Sequence, residues 1–229
     1  MDDLIENKVR QLQCIYKKLE AEYAGALSLY GKSKTSISSL VFSEIKGDWG
    51  IETAQASYEK CCVFRGTDIA DIIAFNLDSF PERYIKAKGI EKKALTDWDI
   101  VIEMSGGGPA QPTGRAAIVF LQYAKDKMLV SNFCRGIRCK CAEDAVYLLA
   151  ALKHLYTTRI SYMYEVGTTG IKNLNLSGML QENYLPNWSE KEKNAFCDAF
   201  VKKIEYGKKL MIQLNSLKKM RSLLLSKYF

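Results

Sequence analysis

The sequence predicts an α+β fold in which a domain built on a mixed sheet is bracketed by two long amphipathic helices that form an antiparallel coiled coil. Three observations lead to this fold class. The first segment repeats apolar residues at heptad spacing, the middle alternates short apolar runs with turn-rich stretches, and the last segment is again amphipathic with a helical period. We therefore divide the chain into an N-terminal helix at 1–31, a central domain at 40–188 and a C-terminal helix at 189–229.

The N-terminal helix is predicted to be about thirty residues long and to end at Gly31. Tyrosines in its apolar seam favour packing against a different helix over packing against a copy of itself. The polar stretch that follows, residues 32–39, is expected to be a mobile connector in which Lys32 and Lys34 could contact phosphate. The seam consists of Ile5, Val9, Leu12, Tyr16, Leu19, Tyr23, Ala26 and Tyr30.

The central domain contains short apolar runs that predict a mixed rather than a doubly wound sheet. One helix is expected at 142–155, because acidic residues open it and Lys153 and His154 lie near its end. We interpret His154 as a helix-end residue and not as a catalytic base. The predicted strands are 61–64, 98–102, 116–120 and 128–130.

The C-terminal helix follows Pro186 and is predicted to run from 189 to about 226. Ser189 and Glu192 have the spacing of a capping box, in which each side chain bonds the other residue's backbone N–H. Each long helix needs a partner to bury its apolar side, and antiparallel pairing of the two meets that need most simply. The apolar side of the second helix includes Phe196, Phe200, Ile204, Met211, Leu214, Leu217 and Leu224.

Composition and charge narrow the function classes. The chain has 229 residues, 48% of them hydrophobic, and a formal net charge of +7. Most of this charge comes from residues 189–229, which contain ten basic and four acidic residues. Such a segment favours a polyanion or an acidic protein partner, although a solvated lysine-rich helix face is the commoner explanation. No apolar run approaches a membrane span and the N-terminus is acidic, so we expect a cytoplasmic protein with no membrane partner.

The stretch 95–119 predicts a strand, a long glycine-rich loop and a second strand. Glycines allow the backbone to approach another group closely, and Ser105, Gln111, Thr113 and Arg115 supply hydrogen-bonding groups. A long hairpin loop is the alternative interpretation. The loop matches neither the phosphate-binding pattern that ends in Lys-Ser or Lys-Thr nor the dinucleotide-binding glycine pattern.

Nothing in the sequence predicts catalysis or a metal site. No nucleophile has a general base beside it, and the seven cysteines form no CxxC pair, so we interpret them as reduced packing residues. Asp97 and Asp99 flank Trp98 at strand spacing and are expected to be solvated edge residues. The chain is therefore predicted not to be an enzyme by itself and to bind no cofactor.

A binding surface is the more favoured interpretation of four polar segments in the central domain. Each of these segments contains a cation next to Ser, Thr, Asn, Gln or Gly. Cations and these polar residues together are the types that contact phosphates and base edges in duplex DNA. These cations are Arg65, Arg115, Arg135, Arg138 and Lys172.

The order of these segments strongly resembles the target recognition domain of type I restriction-modification specificity subunits. The resemblance rests on RGTDI at 65–69, the stretch 95–119, VSNFCRGIR at 130–138 and GTTGIKNLNLSGM at 167–179, and it extends to LKKMRSLLLSKYF at 217–229. EMSGGGPAQPTGR within 95–119 and the turn GTTGIKNL at 167–174 are the specific parts, whereas the helices could belong to many proteins.

The resemblance implies a subunit without chemistry of its own. Such a subunit reads double-stranded DNA and docks modification methyltransferase subunits, which use S-adenosylmethionine, and through them the restriction subunit. Its helices would serve as spacer and docking elements. The DNA-facing positions so implied are Arg65, Thr67, Ser105, Gly106, Gly107, Gln111, Thr113, Arg115, Asn132, Arg135, Arg138, Thr168, Thr169, Lys172 and Asn173.

The chain departs from the family in having one recognition domain where a full subunit has two. It is therefore expected to be either a half-length subunit that forms a homodimer or a shortened gene product. A homodimer would favour a palindromic, interrupted DNA target. The alternative function is that of a coiled-coil interaction or regulatory protein of a restriction system without sequence-specific DNA binding of its own.

Overall fold

The computed structural model of the chain describes residues 2–73, 80–106, 111–121, 126–167 and 172–228. It has the mixed α+β architecture expected from the sequence, with two long helices that pack against a domain of small sheets. In the described part of the chain, no helix combines the length and the hydropathy that a membrane crossing requires.

The two long helices are α1 (Asp2–Tyr30) and α5 (Glu190–Tyr228), and they pack antiparallel as predicted. Near the start of α1, Lys8 Nζ donates to Gln213 Oε1 at 2.7 Å, and later in α1 Glu22 lies 3.4 Å from Lys203. The contacts thus run in opposite directions along the two helices. The α1 seam is buried from Tyr16 to Ala26, in a core that includes apolar residues of α5. The predicted capping box is present, because Glu192 accepts from the backbone N–H of Ser189 and donates its own to Ser189 Oγ.

Residues 32–36 are not the mobile connector that their polarity suggested. They form strand β1 (Lys32–Ser36), which pairs antiparallel with β12 (Tyr184–Pro186), and a short 3-10 turn follows at Ile37–Leu40. Ile37 and Leu40 are buried, so apolar burial as well as strand pairing holds this polar stretch against the domain.

The remaining strands are β2 (Val41–Lys46), β3 (Tyr58–Phe64), β4 (Glu82–Lys86), β5 (Ile100–Glu103), β6 (Ser105–Gly106), β7 (Ala116–Ile118), β8 (Lys127–Val130), β9 (Cys134–Cys139), β10 (Glu165–Val166) and β11 (Lys172–Leu174). The central sheet has the order β2-β9-β5-β7, with all neighbours antiparallel. A second sheet, β4-β3-β8, contains the parallel pair of β3 and β8, and a third small sheet has the order β10-β11-β6.

The central sheet is covered on both faces, which explains why β5 is apolar at consecutive positions. Ile100 and Ile102 face a core shared with α1, α5 and α3 (Ala142–Thr157), whereas Val101 faces a core shared with β3 and β8. His154 lies in the last turn of α3, as predicted. Two short helices complete the domain: α2 (Ile69–Ile73) and α4 (Leu176–Glu182).

The strands that flank the glycine-rich loop pair with each other. Ile100 lies opposite Ile118 and Ile102 opposite Ala116, so the two strands predicted in the stretch 95–119 form an antiparallel pair. Of the loop between them, residues 107–110 fall outside the described residues, whereas Ser105 and Gly106 form β6 in the third sheet.

Candidate nucleic-acid interface

A buried carboxylate, Glu103, organises the surface that the sequence analysis singled out. It ends β5, its side chain is only 4% exposed, and it accepts two hydrogen bonds from Arg115, from Nε at 3.0 Å and from Nη2 at 2.7 Å. These hydrogen bonds raise the pKa of Arg115 against the opposing effect of desolvation. The guanidinium is therefore held side-on in a fixed orientation by a charged acceptor.

Two glycines from different polar segments pack against the same carboxylate. A Cβ on Gly66 would lie 2.9 Å from Glu103 Oε1, and a Cβ on Gly106 would lie 3.1 Å from it. Gly106 also has a φ of 140°, which side chains rarely adopt. Glycine at both positions is thus explained by the close approach of two loops to Glu103.

Strand pairing joins the glycine-rich loop to the 167–173 turn. Ser105 lies opposite Asn173 in the β6–β11 pair, their side chains are hydrogen-bonded, and Gly106 lies opposite Lys172. These segments are more than sixty residues apart in sequence. The third sheet therefore brings two predicted DNA-facing segments onto one surface.

A second buried carboxylate, Glu165 on β10, fixes the far side of this surface. It accepts from the Thr113 backbone N–H at 2.7 Å, from the Thr113 hydroxyl at 3.2 Å and from Lys172 Nζ at 2.8 Å. Burial alone would raise the pKa of Glu165, but these hydrogen bonds outweigh it and hold the pKa below its ordinary value. Thr113 itself is fully buried, so its hydroxyl positions Glu165.

The turn before β9 joins the same surface. The Phe133 carbonyl accepts the backbone N–H of Met104 at 2.8 Å and that of Ser105 at 3.2 Å. On the other side of the turn, the Ser131 N–H donates to the Phe64 carbonyl at 2.8 Å, next to Arg65. Asn132 and Phe133 are exposed between these two anchors.

Arg65 forms a second side-on pair, with the buried carboxylate of Asp68. Nε lies 3.0 Å from Oδ2 and Nη2 lies 2.7 Å from Oδ1, while 46% of the Arg65 side chain stays exposed. Hydrogen bonding to Asp68 raises the pKa of Arg65. Thr67 is exposed on the adjacent turn.

The remaining two cations lie farther along β9. Arg138 donates to Asp99 from Nε at 2.9 Å and from Nη2 at 2.6 Å, at the opposite end of β5 from Glu103. Asp99 is 1% exposed, so the expectation that it is a solvated edge residue was wrong: a paired acid can be buried because its charge is compensated. Arg135 Nε lies 3.6 Å from Glu44.

The predicted DNA-facing residues thus divide into four groups. The largest group lies on the surface around Glu103 and Glu165: Arg65, Thr67, Ser105, Gly106, Arg115, Asn132, Lys172 and Asn173. Arg135 and Arg138 lie along β9, where they pair with Glu44 and Asp99. Thr113 does not face DNA as expected, because it is fully buried and its hydroxyl donates to Glu165. Gly107, Thr168 and Thr169 fall outside the described residues, and Gln111 is exposed directly after the undescribed residues 107–110.

The sequence analysis identified the cations but missed the acids that orient them. Val101 and Glu103 point to the same face of β5, so the sequence could have indicated that Glu103, at the end of an apolar run, is buried and needs a cationic partner. A guanidinium held through Nε and Nη2 keeps N–H groups that point away from the acid. Such a group can still donate to a phosphate or to a guanine edge.

All seven cysteines are free, but the expectation that they are packing residues was wrong for Cys14 and Cys141, which are exposed. Burial raises the pKa of Cys134, beside Glu103 in the β5–β9 pair, to about 12, so this thiol stays protonated at neutral pH. Among the described residues, no group of three or more His, Cys, Asp or Glu side chains could hold a metal ion.

Neither a scan of protein-family models nor a search of curated proteins finds a match to this chain. Solved structures do match. The chain is similar to the S subunit of the type I restriction-modification system from M. genitalium, with a TM-score of 0.54 and 16% identity over 100% of this chain and 57% of that one. It also matches the HsdS subunit from Thermoanaerobacter tengcongensis, with a TM-score of 0.46 and 14% identity over 99% of this chain and 55% of that one.

The first of these similarities shows the fold. The chain has the architecture of a type I restriction-modification S subunit over its whole length, as the sequence resemblance implied. It spans a little over half the length of the S subunits that it matches.

Proposed function

We propose that this protein is a DNA sequence-recognition subunit of a type I restriction-modification system. The observation that carries the proposal is the convergence of Arg65, Ser105, Asn132 and Lys172, from separate segments, on one surface of a domain with the S-subunit fold. Their hydrogen-bonding groups suit phosphates and base edges. Asp68 and Glu165 support recognition because they fix Arg65 and Lys172 before DNA binds.

The rest of the assembly follows from the same proposal. The subunit itself catalyses no reaction. Helices α1 and α5 bind modification methyltransferase subunits, which use S-adenosylmethionine. The restriction subunit joins the complex through those methyltransferase subunits. Because the chain spans 57% of the M. genitalium subunit, two copies would supply two recognition domains. A twofold axis between them would favour a palindromic, interrupted target in a cytoplasmic complex.

One observation favours the alternative, an interaction or regulatory protein without DNA binding of its own. Each of the five predicted DNA-facing cations lies within an ion pair with an acid of the same chain. Pairing removes most of the positive field that would attract a duplex over a distance. The two functions therefore differ in whether the surface binds DNA at all.

The deciding experiment measures binding of the chain, in complex with its methyltransferase subunit, to random-sequence duplex DNA over a series of salt concentrations. We expect binding that weakens with salt and enrichment of one sequence from the pool. Arg65→Gln should reduce affinity and lower the salt slope by about one, because a phosphate contact is lost while the amide can still bond Asp68.

The matched control is Lys86→Gln, which removes the same charge at the opposite end of the β3–β4 pair from Arg65. It should leave the selected sequence and the salt slope unchanged. If the wild-type complex binds no duplex at low salt while the protein complex itself is stable, the alternative function is correct.

A further inference from the structure

An exposed aromatic ring stands among the polar residues of the candidate interface. Phe133 is 54% exposed, although phenylalanine is usually buried, and it lies between exposed Asn132 and the start of β9. An exposed ring adds little to folding stability, but it can add to binding free energy when a partner covers it. Its position beside Ser105 places it on the surface that carries the proposed function.

The backbone around Phe133 is held on three sides. Its carbonyl accepts two N–H groups from the β5–β6 junction, and the Cys134 N–H closes the turn onto the Ser131 carbonyl at 2.9 Å. On the third side, a Cβ on Gly47 would lie 2.0 Å from the Ser131 oxygen, so β2 ends directly against the turn. The ring is therefore presented on a fixed backbone, which lowers the entropy lost on binding.

We infer that Phe133 is a specificity-determining residue that contacts the C5-methyl group of a thymine in the recognised duplex. This rests on the proposed function. Thymine is the base that presents an apolar group in the major groove, and the neighbouring hydroxyl and amide groups suit the polar base edges beside it. Insertion between base pairs fits less well, because a wedge must protrude fully and nearly half of Phe133 is already covered.

The test uses the complex of the full chain with its methyltransferase subunit and the duplex sequence that the wild-type complex selects. Each thymine in that sequence is replaced in turn by uracil, which lacks only the methyl group. At one position we expect wild-type affinity to fall about fourfold, the effect of one apolar carbon returned to water. Phe133→Ala should be insensitive to that substitution and respond as wild type at the others, and Phe133→Leu should keep part of the sensitivity.

The matched control is Phe42→Ala, since Phe42 is also exposed but lies at the far end of the β2–β9 pair. It should show the wild-type response at every thymine. The inference is overturned if Phe133→Ala responds to every uracil as wild type does, or if no thymine is sensitive. It is also overturned if the variant loses DNA bending, as a wedge would, or loses the methyltransferase subunit, as a protein contact would.

Failure of the proposed function is distinguishable from these outcomes. In that case the wild-type complex selects no sequence, which is seen without any variant and overturns both proposals. If the wild type selects a sequence and Phe133 contributes nothing to it, the proposed function stands and the role of Phe133 alone is wrong.

Discussion

Replacing Glu103 by glutamine tests whether this buried acid holds the interface together. Glutamine keeps the volume of the side chain beside Gly66 and Gly106 but removes the charge that compensates Arg115. Loss of one partner of a fully buried pair costs about 3–5 kcal/mol. Because 27% of the Arg115 side chain is exposed and water can solvate it in part, we expect about 2–3 kcal/mol.

Thermal unfolding provides the measurement. For a protein of this size, the expected loss corresponds to a melting temperature lower by about 5–10 °C. Glu82→Gln, which breaks the solvent-exposed pair with Lys60, is the control and should leave the melting temperature unchanged. Adding Arg115→Gln to Glu103→Gln should recover part of the loss, since no uncompensated guanidinium remains. A Glu103→Gln loss below about 0.5 kcal/mol, or one unaffected by Arg115→Gln, would refute this account.

Two further predictions concern Glu165 and Gly47. The folded-state pKa of Glu165 is depressed, so its contribution to stability is present above the ordinary value of 4.5 and is lost as pH falls through the lower folded pKa. Urea unfolding should therefore show a gap between wild type and Glu165→Gln at neutral pH that narrows in acid, and a pH-independent gap would contradict the assignment. Gly47→Ala should lower stability by about 1–3 kcal/mol because its Cβ would meet the Ser131 carbonyl. Gly25→Ala, on an open face of α1, should instead raise stability by about 0.5–1 kcal/mol, and similar effects at the two sites would disprove the clash.

The elements predicted best were those that a local pattern determines. The heptad seam correctly predicted α1, and the Ser189–Glu192 capping box correctly predicted where α5 begins. The acidic residues at the start of α3 and His154 near its end predicted the bounds of that helix to within a few residues. Short strands were placed to within a few residues, but their partners were not, because pairing depends on contacts far apart in sequence. The connector after Gly31 was wrong for the same reason, since its strand partner lies about 150 residues later.

For the candidate site, residue type predicted which cations belong to loops but not what each of them faces. Arg115 and Arg138 look equivalent in the sequence, yet acids at opposite ends of β5 hold them. Ser105 and Asn173 were chosen separately, and only the third sheet brings them together. Which of these residues contact DNA stays a prediction.

The pairing of β1 with β12 determines how the long helices can come together during folding. Lys8 and Gln213 are 205 residues apart, and joining them in an unfolded chain would cost about 5 kcal/mol of loop-closure entropy. Once the Asn187 N–H bonds the Gly31 carbonyl at 2.9 Å, the two helices start side by side. Contacts between α1 and α5 can then form first next to the domain and afterwards at positions farther from it. Fraying should begin at the far end, where Leu4 and Leu223 are exposed.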